Sequence, residues 1–470
     1  MTQSTMTQAA GRSASTDRAT ADRTNRLTMT RAGGQLVADY WDNLFAAREQ
    51  GKQIVWYNGG ALNPIFQAAG LAWCHGEAFA ARLAAQRLEG PAQLAGAEYG
   101  YNAELCSYSR THLGCSVLTL QGASLETGEG EHTGVVGMQA QRDLAARLPS
   151  PDFFVNNYAG CSTGQQWDGI SYRVFGKQLP IFNISHPFLW GNKPDAGYLT
   201  GQEWEEASDF VEGQLRELIG WLESQTGRPF DWDELSRSMD YIKRAAGLRR
   251  EGLDLCKAKP AAATFWDWIA CVAPINFLPG DQALVDYFGG VRDEIRQRLD
   301  AGVPGIEGEK YRLYFDGIMN WNKLGFLSRK FAEHGAAVLA GRYIHNAFWQ
   351  EPHLIDVENP LRGMAQHYLL CPTNHGTRTL DYLTLRDCRE YDVDGIVFHS
   401  TRTCRAFTGP QRLLARSAQN NLRIPSIFFE GDVADASFYK EEILESRLAA
   451  MLEQIDVRRQ RGEYTGAGRP

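Results

Sequence analysis

The chain has 470 residues with 48 Lys and Arg against 56 Asp and Glu, a formal net charge of -8, which argues against a nucleic-acid binder, since such proteins show a basic excess. Its 43% hydrophobic and 22% charged residues are those of a soluble globular protein long enough for two or three domains. No apolar run reaches the ~20 residues that span a bilayer, and the expected address is cytoplasmic. Residues 1–35 begin with a stretch rich in Ser, Thr, Arg and Ala and read as a disordered tail, with a transit peptide as the rival reading.

From about 36 to 100 the pattern is mostly helical around one short strand, Gln53 to Asn58. Two compact apolar runs, Asp152 to Asn157 and Leu179 to Ser185, give further strands of a first α/β domain spanning 36–199. Thr200 and Glu203 have capping-box spacing. Phe210, Val211, Leu215, Leu218, Ile219 and Leu222 then share a helical face. Asp231 opens another helix, with Leu235, Met239, Ile242 and Ala246 at core spacing. The apolar run Thr264 to Phe277 is too short to cross a membrane and reads as one buried helix, closing a helical segment over 200–307. Beyond it, Tyr311 to Phe315, Ala336 to Ala340, Gly395 to His399 and Ile424 to Phe429 alternate with helical stretches, a second α/β domain over 308–470. The fold class is therefore α/β: two doubly wound, flavodoxin-like parallel-sheet domains with N-terminal and inserted helical segments.

Nine cysteines are scattered without a C-x-x-C pair: Cys74, Cys106, Cys115, Cys161, Cys256, Cys271, Cys371, Cys388 and Cys404. A disulfide framework is not expected in so large a chain with an odd count. Any metal must be held by cysteines distant in sequence. Cys161 and Cys404 each follow a predicted strand, where open α/β sheets bind their ligands. Cys106 stands at the start of a predicted helix, whose amides and partial positive charge favour a thiolate. If the two domains face each other across a cleft, these three could meet at one metal centre. The ordinary role of a free cysteine is a small buried hydrophobe. Cys256, Cys271 and Cys388 fit that role, and Cys74 and Cys115 are ambiguous.

Several segments bear a resemblance to a known family: Glu309 to Leu313 through Asn320-Trp321, Gly335 to Val338, Cys371 to Asn374, Asp394 to Ser400, Arg402 to Cys404, and Ile424 to Asp432 on to Ser446–Leu448. They resemble the larger catalytic subunit of class I benzoyl-CoA reductase, within the 2-hydroxyacyl-CoA dehydratase superfamily. The resemblance runs from about residue 36 to the end. It implies a [4Fe-4S] cluster held by three cysteines. These are Cys106, in an E-x-C-x-Y/R-like segment running from Glu104 to Arg110; Cys161, in a strand-end loop; and Cys404, in an H-x-x-R-S-C-like segment with Thr403 where serine is commoner. A cubane normally takes four thiolates, so three leave one iron open. Cys371 is the candidate for a fourth or near-cluster thiol, with a structural role as the alternative.

The resemblance further implies a smaller homologous subunit, ATP-hydrolysing electron-activating subunits fed by ferredoxin, and benzoyl-CoA or a related acyl-CoA as substrate. Consistent with an outside energy source, the chain has no G-x-x-x-x-G-K-[ST] phosphate loop. The implied activity is reduction of the aromatic thioester to a cyclic dienoyl-CoA. A dehydratase subunit eliminating water by radical chemistry, and a non-catalytic electron-transfer or scaffold subunit, are the alternatives. His399 is the candidate proton donor, against an ordinary structural histidine; His345 and His375 rank lower. Glu430, Asp432 and Asp435 read as fixing the loop or helix that follows. Arg110 and Arg402 lie near ligand cysteines but by default are solvated surface residues.

Overall fold

A computed structural model describes residues 23–120, 148–158, 160–165, 167, 169, 174, 179–191, 200–345, 349–463 and 467. Two runs of short strands, several of them buried on both faces, dictate its architecture, because a parallel strand covered by helices on either side has no polar face to offer. β1 (Ile54–Tyr57), β3 (Phe153–Tyr158), β5 (Tyr311–Asp316) and β6 (Ala336–Ala340) are of this kind. With β2 (Ala72–His75), β4 (Ile181–Ser185), β7 (Gly395–Thr401) and β8 (Ser426–Gly431) they form two four-stranded sheets of the same order, β2-β1-β3-β4 and β6-β5-β7-β8. Every pairing is parallel. Each order reverses between its two central strands, and the crevice left there, outside the carboxyl ends, is where such sheets take a ligand.

The two-sheet α/β reading of the sequence is correct. Seven of the strands fall where the apolar runs predict them, and β2 is the additional one. Ala72-Trp-Cys-His75 is too short and too alanine-flanked to show strand periodicity, and it is held by its register against β1. The inserted segment is helical, with long helices at Gln202–Thr226, Trp232–Leu255 and Gln282–Asp300. Val211, Leu215, Leu218, Ile219, Leu222, Leu235, Met239, Ile242 and Ala246 are all buried, whereas Phe210 is about half exposed, at 53%. Asp231 caps its helix, accepting from the Glu234 N–H at 2.8 Å. The N-cap of the preceding helix is Gly201, with no side-chain bond, so Thr200 does not cap it. Thr264 to Phe277 is not one helix but two, Phe265–Ala270 and Val272–Phe277, both buried. Pro274 lacks the N–H that would continue the first ladder.

Residues 1–22 of the expected tail lie outside the described residues, but its later part is ordered. A helix runs from Met29 to Ala46, and the segment before it is anchored. Leu27 is buried, and the Thr28 and Met29 amides donate to Glu294 at 2.8 and 2.9 Å. Arg26 Nε and the Leu27 N–H both donate to Asp267 Oδ1, at 2.8 and 3.0 Å, while Asp267 Oδ2 closes the capping box with Thr264. Asp267 is fully buried, so removing its carboxylate strands several donors at once. Asp267→Ala is expected to cost about 3–5 kcal/mol, the range for breaking a buried charged pair, and to open residues 23–28 to protease. Urea unfolding with limited proteolysis measures both.

Candidate active site

The four cysteines singled out by position are brought together. Cys106, Cys161, Cys371 and Cys404 all line one cavity of about 460 Å³. All nine cysteines are free thiols, and these four are the half-buried ones; Cys74, Cys115, Cys256, Cys271 and Cys388 are buried in the core. Cys161 leaves the end of β3 and Cys404 the end of β7. These are equivalent positions, each at the strand-order reversal of its own sheet.

Local structure fixes each sulfur at the start of a helix. Cys106 precedes the helix Ser107–Leu120, and its carbonyl accepts from Ser109 Oγ at 2.9 Å and the Arg110 N–H at 3.0 Å. The Gly164 N–H donates to Cys161 Sγ at 3.4 Å. The Cys404 carbonyl accepts from Thr408 Oγ1 at 2.9 Å, and Cys371 Sγ lies 3.1 Å from Thr373 Oγ1. The turn carrying Cys161 also packs directly on the Cys371 loop. Gly160 has φ +72°, and a Cβ there would stand 2.1 Å from the Thr373 carbonyl oxygen, so only glycine permits the approach.

Electrostatics ties the thiols into one group. Burial pushes the Cys161 thiol up to about 11 and Cys404 up to about 12, and raises Cys106 well above the ordinary thiol value. Cys161 and Cys404 each add to the rise at Cys106, Cys161 adds to that at Cys404, and Cys371 to that at Cys161. At Cys106 desolvation works against the helix N-terminus, whose amides favour a thiolate. Among the described residues, no three His, Cys, Asp or Glu side chains are set to hold a single metal ion. A cubane places each thiolate on a different iron, so its sulfurs stand apart. The donor set itself, soft sulfur from three loops around one cavity, suits an iron–sulfur group.

The remaining walls are largely apolar, and Trp41, Tyr108, Phe277, Trp321, Tyr343 and Phe407 are among their aromatic members. Glu77 is the one carboxylate among the described lining residues. It lies in the first turn of the helix Gly76–Ala85, just past β2. Burial pushes its carboxyl up to about 7, opposed by a hydrogen bond from the Gly59 backbone. It escaped notice in sequence because β2 did, and with it the strand end that would have marked Glu77. His399 does not line the cavity. It is fully buried, its Nδ1 lies 2.7 Å from the Ile318 carbonyl, and burial holds it down at about 4. His345 and His375 are likewise buried away from the cavity. Arg110 is not a solvated residue; it is buried and paired with Asp435. Arg402 is exposed and pairs with Glu104 at 3.1 Å.

The model of the family described as "2-hydroxyglutaryl-CoA dehydratase, D-component" matches residues 62–455. The chain belongs to that family. It is 24% identical over 442 residues to a benzoyl-CoA reductase subunit of Thauera aromatica, covering 90% of this chain and 94% of the relative. The (R)-2-hydroxyisocaproyl-CoA dehydratase alpha subunit of Clostridioides difficile is 24% identical over 444 residues, with 91% and 97% covered. The lactoyl-CoA dehydratase alpha subunit of Anaerotignum propionicum is 24% identical over 417 residues, with 87% and 92% covered. Members thus include subunits of CoA-thioester reductases and of dehydratases. No helix among the described residues is long and apolar enough to cross a membrane.

The raised carboxyl of Glu77 carries a pH signature. Unfolded, it ionises near 4.5; folded, near 7. Its contribution to folding is fully present below 4.5 and is lost as pH rises through 7, where the buried charge must be tolerated. Glu77→Gln is therefore expected to raise the melting temperature at pH 8 relative to the native chain, with the gap narrowing as pH falls below about 7. Thermal melts across that range test the sign.

Proposed function

We propose that this chain is the iron–sulfur subunit of an enzyme that delivers single electrons to an acyl-CoA thioester, and that it reduces benzoyl-CoA or a close relative to a cyclic dienoyl-CoA. The convergence of Cys106, Cys161 and Cys404 on one cavity carries this reading. A [4Fe-4S] cluster on those three, with Cys371 as a fourth or near-cluster thiol, would supply a one-electron redox centre at the cavity wall. The aromatic walls suit a planar ring and keep bulk water, a competing proton source, from the reacting group. The slender arm of a CoA thioester can enter between the helices Met29–Ala46 and Gly76–Ala85. Gly34, Ala38, Ala81 and Ala85 line the cavity there, and Arg82 brings a positive charge suited to the CoA phosphates.

Reducing the ring to a diene takes two electrons and two protons. Glu77, whose carboxyl burial pushes up to about 7, is positioned to hold one of those protons at a carboxyl oxygen. His399, enclosed within β7 and away from the cavity, is the weaker candidate. The same carboxyl supports a second reading. A group that keeps its proton near neutrality can protonate a departing 2-hydroxyl, which suits a dehydratase subunit, as two of the relatives above are. In either reading the electrons come from an ATP-hydrolysing module fed by ferredoxin, and a smaller homologous subunit completes the complex.

The test is anaerobic turnover of the purified complex with benzoyl-CoA and with 2-hydroxyacyl-CoA thioesters, with and without ATP and the activating module. ATP-dependent loss of benzoyl-CoA is expected; consumption of the hydroxyacyl thioester alone transfers the assignment to the dehydratase reading. Serine at Cys106, Cys161 or Cys404 is expected to lower iron content and activity together, read by iron analysis alongside the assay. Full iron in all three variants would remove the cysteines from the centre.

A further inference from the structure

The loops bearing Cys106 and Cys404 come from different sheets, and one carboxylate joins them. Asp432 follows β8 and is fully buried. Its Oδ2 accepts from the Thr403 N–H at 3.1 Å and from Thr403 Oγ1 at 2.6 Å, and its Oδ1 accepts from Ser107 Oγ. Ser107 immediately follows Cys106 and Thr403 immediately precedes Cys404, so the carboxylate lies between the backbones of the two cysteines. The knot is closed by the Ser107 N–H donating to Thr403 Oγ1 at 3.3 Å and the Ala434 N–H donating to Ser107 Oγ at 3.1 Å. The hydroxyl at 403 is the working part of that side chain, which explains why threonine serves where the related pattern has serine.

We propose that Asp432 is the positioning residue of this centre, clamping the Cys106 and Cys404 loops at one spacing and, as a buried anion, holding the potential of the iron–sulfur group they carry low. The proposal rests on the reading of those cysteines as ligands. A stability role alone does not call for this design. The described partners of Asp432 are hydroxyls and amides, all neutral, and burying a carboxylate without a cation is costly. Nearby Asp435, by contrast, has Arg110 as its ion pair. Cluster potentials follow net charge, hydrogen bonding and exposure. In a low-dielectric wall a fixed anion disfavours each added electron, and so makes the reduced centre a stronger donor.

The experiment uses the full chain, purified and loaded with iron and sulfide anaerobically, and reads iron content, midpoint potential and electron paramagnetic resonance. Asp432→Asn keeps the shape and removes the charge. It should shift the one-electron equilibrium at least tenfold toward the reduced form, about 60 mV more positive, while Asp435→Asn leaves the potential near that of the native chain. Thr403→Val keeps the charge and removes two clamp bonds, the one to Asp432 and the one from the Ser107 N–H, so it should lose iron to a chelator several times faster with little change in potential. An unchanged potential in iron-replete Asp432→Asn overturns the proposal. If Asp432→Asn holds no iron, Ser107→Ala and Thr403→Val decide: faster iron loss in both supports the clamp, and native retention in both overturns it. A native chain that takes up no iron refutes the reading of the cysteines instead.

Discussion

Parallel strands cannot be joined by a tight turn, and the crossovers this requires leave a crevice wherever the strand order changes direction. Both sheets of this chain carry that reversal at the same place, between β1 and β3 and between β5 and β7. The cysteine after β3 and the cysteine after β7 are thus counterparts produced by one topological rule used twice. Cys106 breaks the symmetry: it is supplied by the helix Ser107–Leu120 and reaches the same cavity through contacts with the second sheet.

Burial then governs the chemistry available. The same desolvation raises thiols and raises the Glu77 carboxyl, so the cavity favours uncharged side chains. A metal that displaces thiol protons changes this balance, because binding and deprotonation are coupled. Polar contacts between loops of the two halves add to the shared hydrophobic core. The Leu189 N–H donates to the Asn374 carbonyl at 2.9 Å and the Gly376 N–H to the Leu189 carbonyl at 2.7 Å. Tyr368 Oη donates to the Gly60 carbonyl at 2.5 Å.

The sequence was most informative where side chains advertise their own environment. Runs such as Phe153-Phe-Val155 and Tyr314-Phe315 are legible because strands covered on both faces must be apolar throughout. Strand ends follow from strands, which is why Cys161 and Cys404 could be placed and Glu77, behind the undetected β2, could not. Arg110 defeated the reading for a different reason. Arginine is a surface residue unless something distant neutralises it, and Asp435 lies 325 positions away. Cys371 was found by its loop, but its closeness to Cys161 depends on the glycine at 160 and on a carbonyl from the other sheet. No local pattern encodes that contact. The break at Pro274 was visible in the letters and was outweighed by the hydrophobicity around it.

The distance along the chain between the cavity's cysteines has a consequence for biosynthesis. Cys106 and Cys161 emerge from the ribosome well before Cys404, which lies 243 residues beyond Cys161 by their positions. At roughly 5–20 residues per second, Cys161 waits about ten to fifty seconds for Cys404, and Cys106 longer still. During that interval the first sheet can form but the crevice has only one wall. On the proposed reading of these cysteines, insertion of the iron–sulfur group follows synthesis of the second sheet, and the thiols of the nascent first sheet must be kept reduced without the shelter they later share.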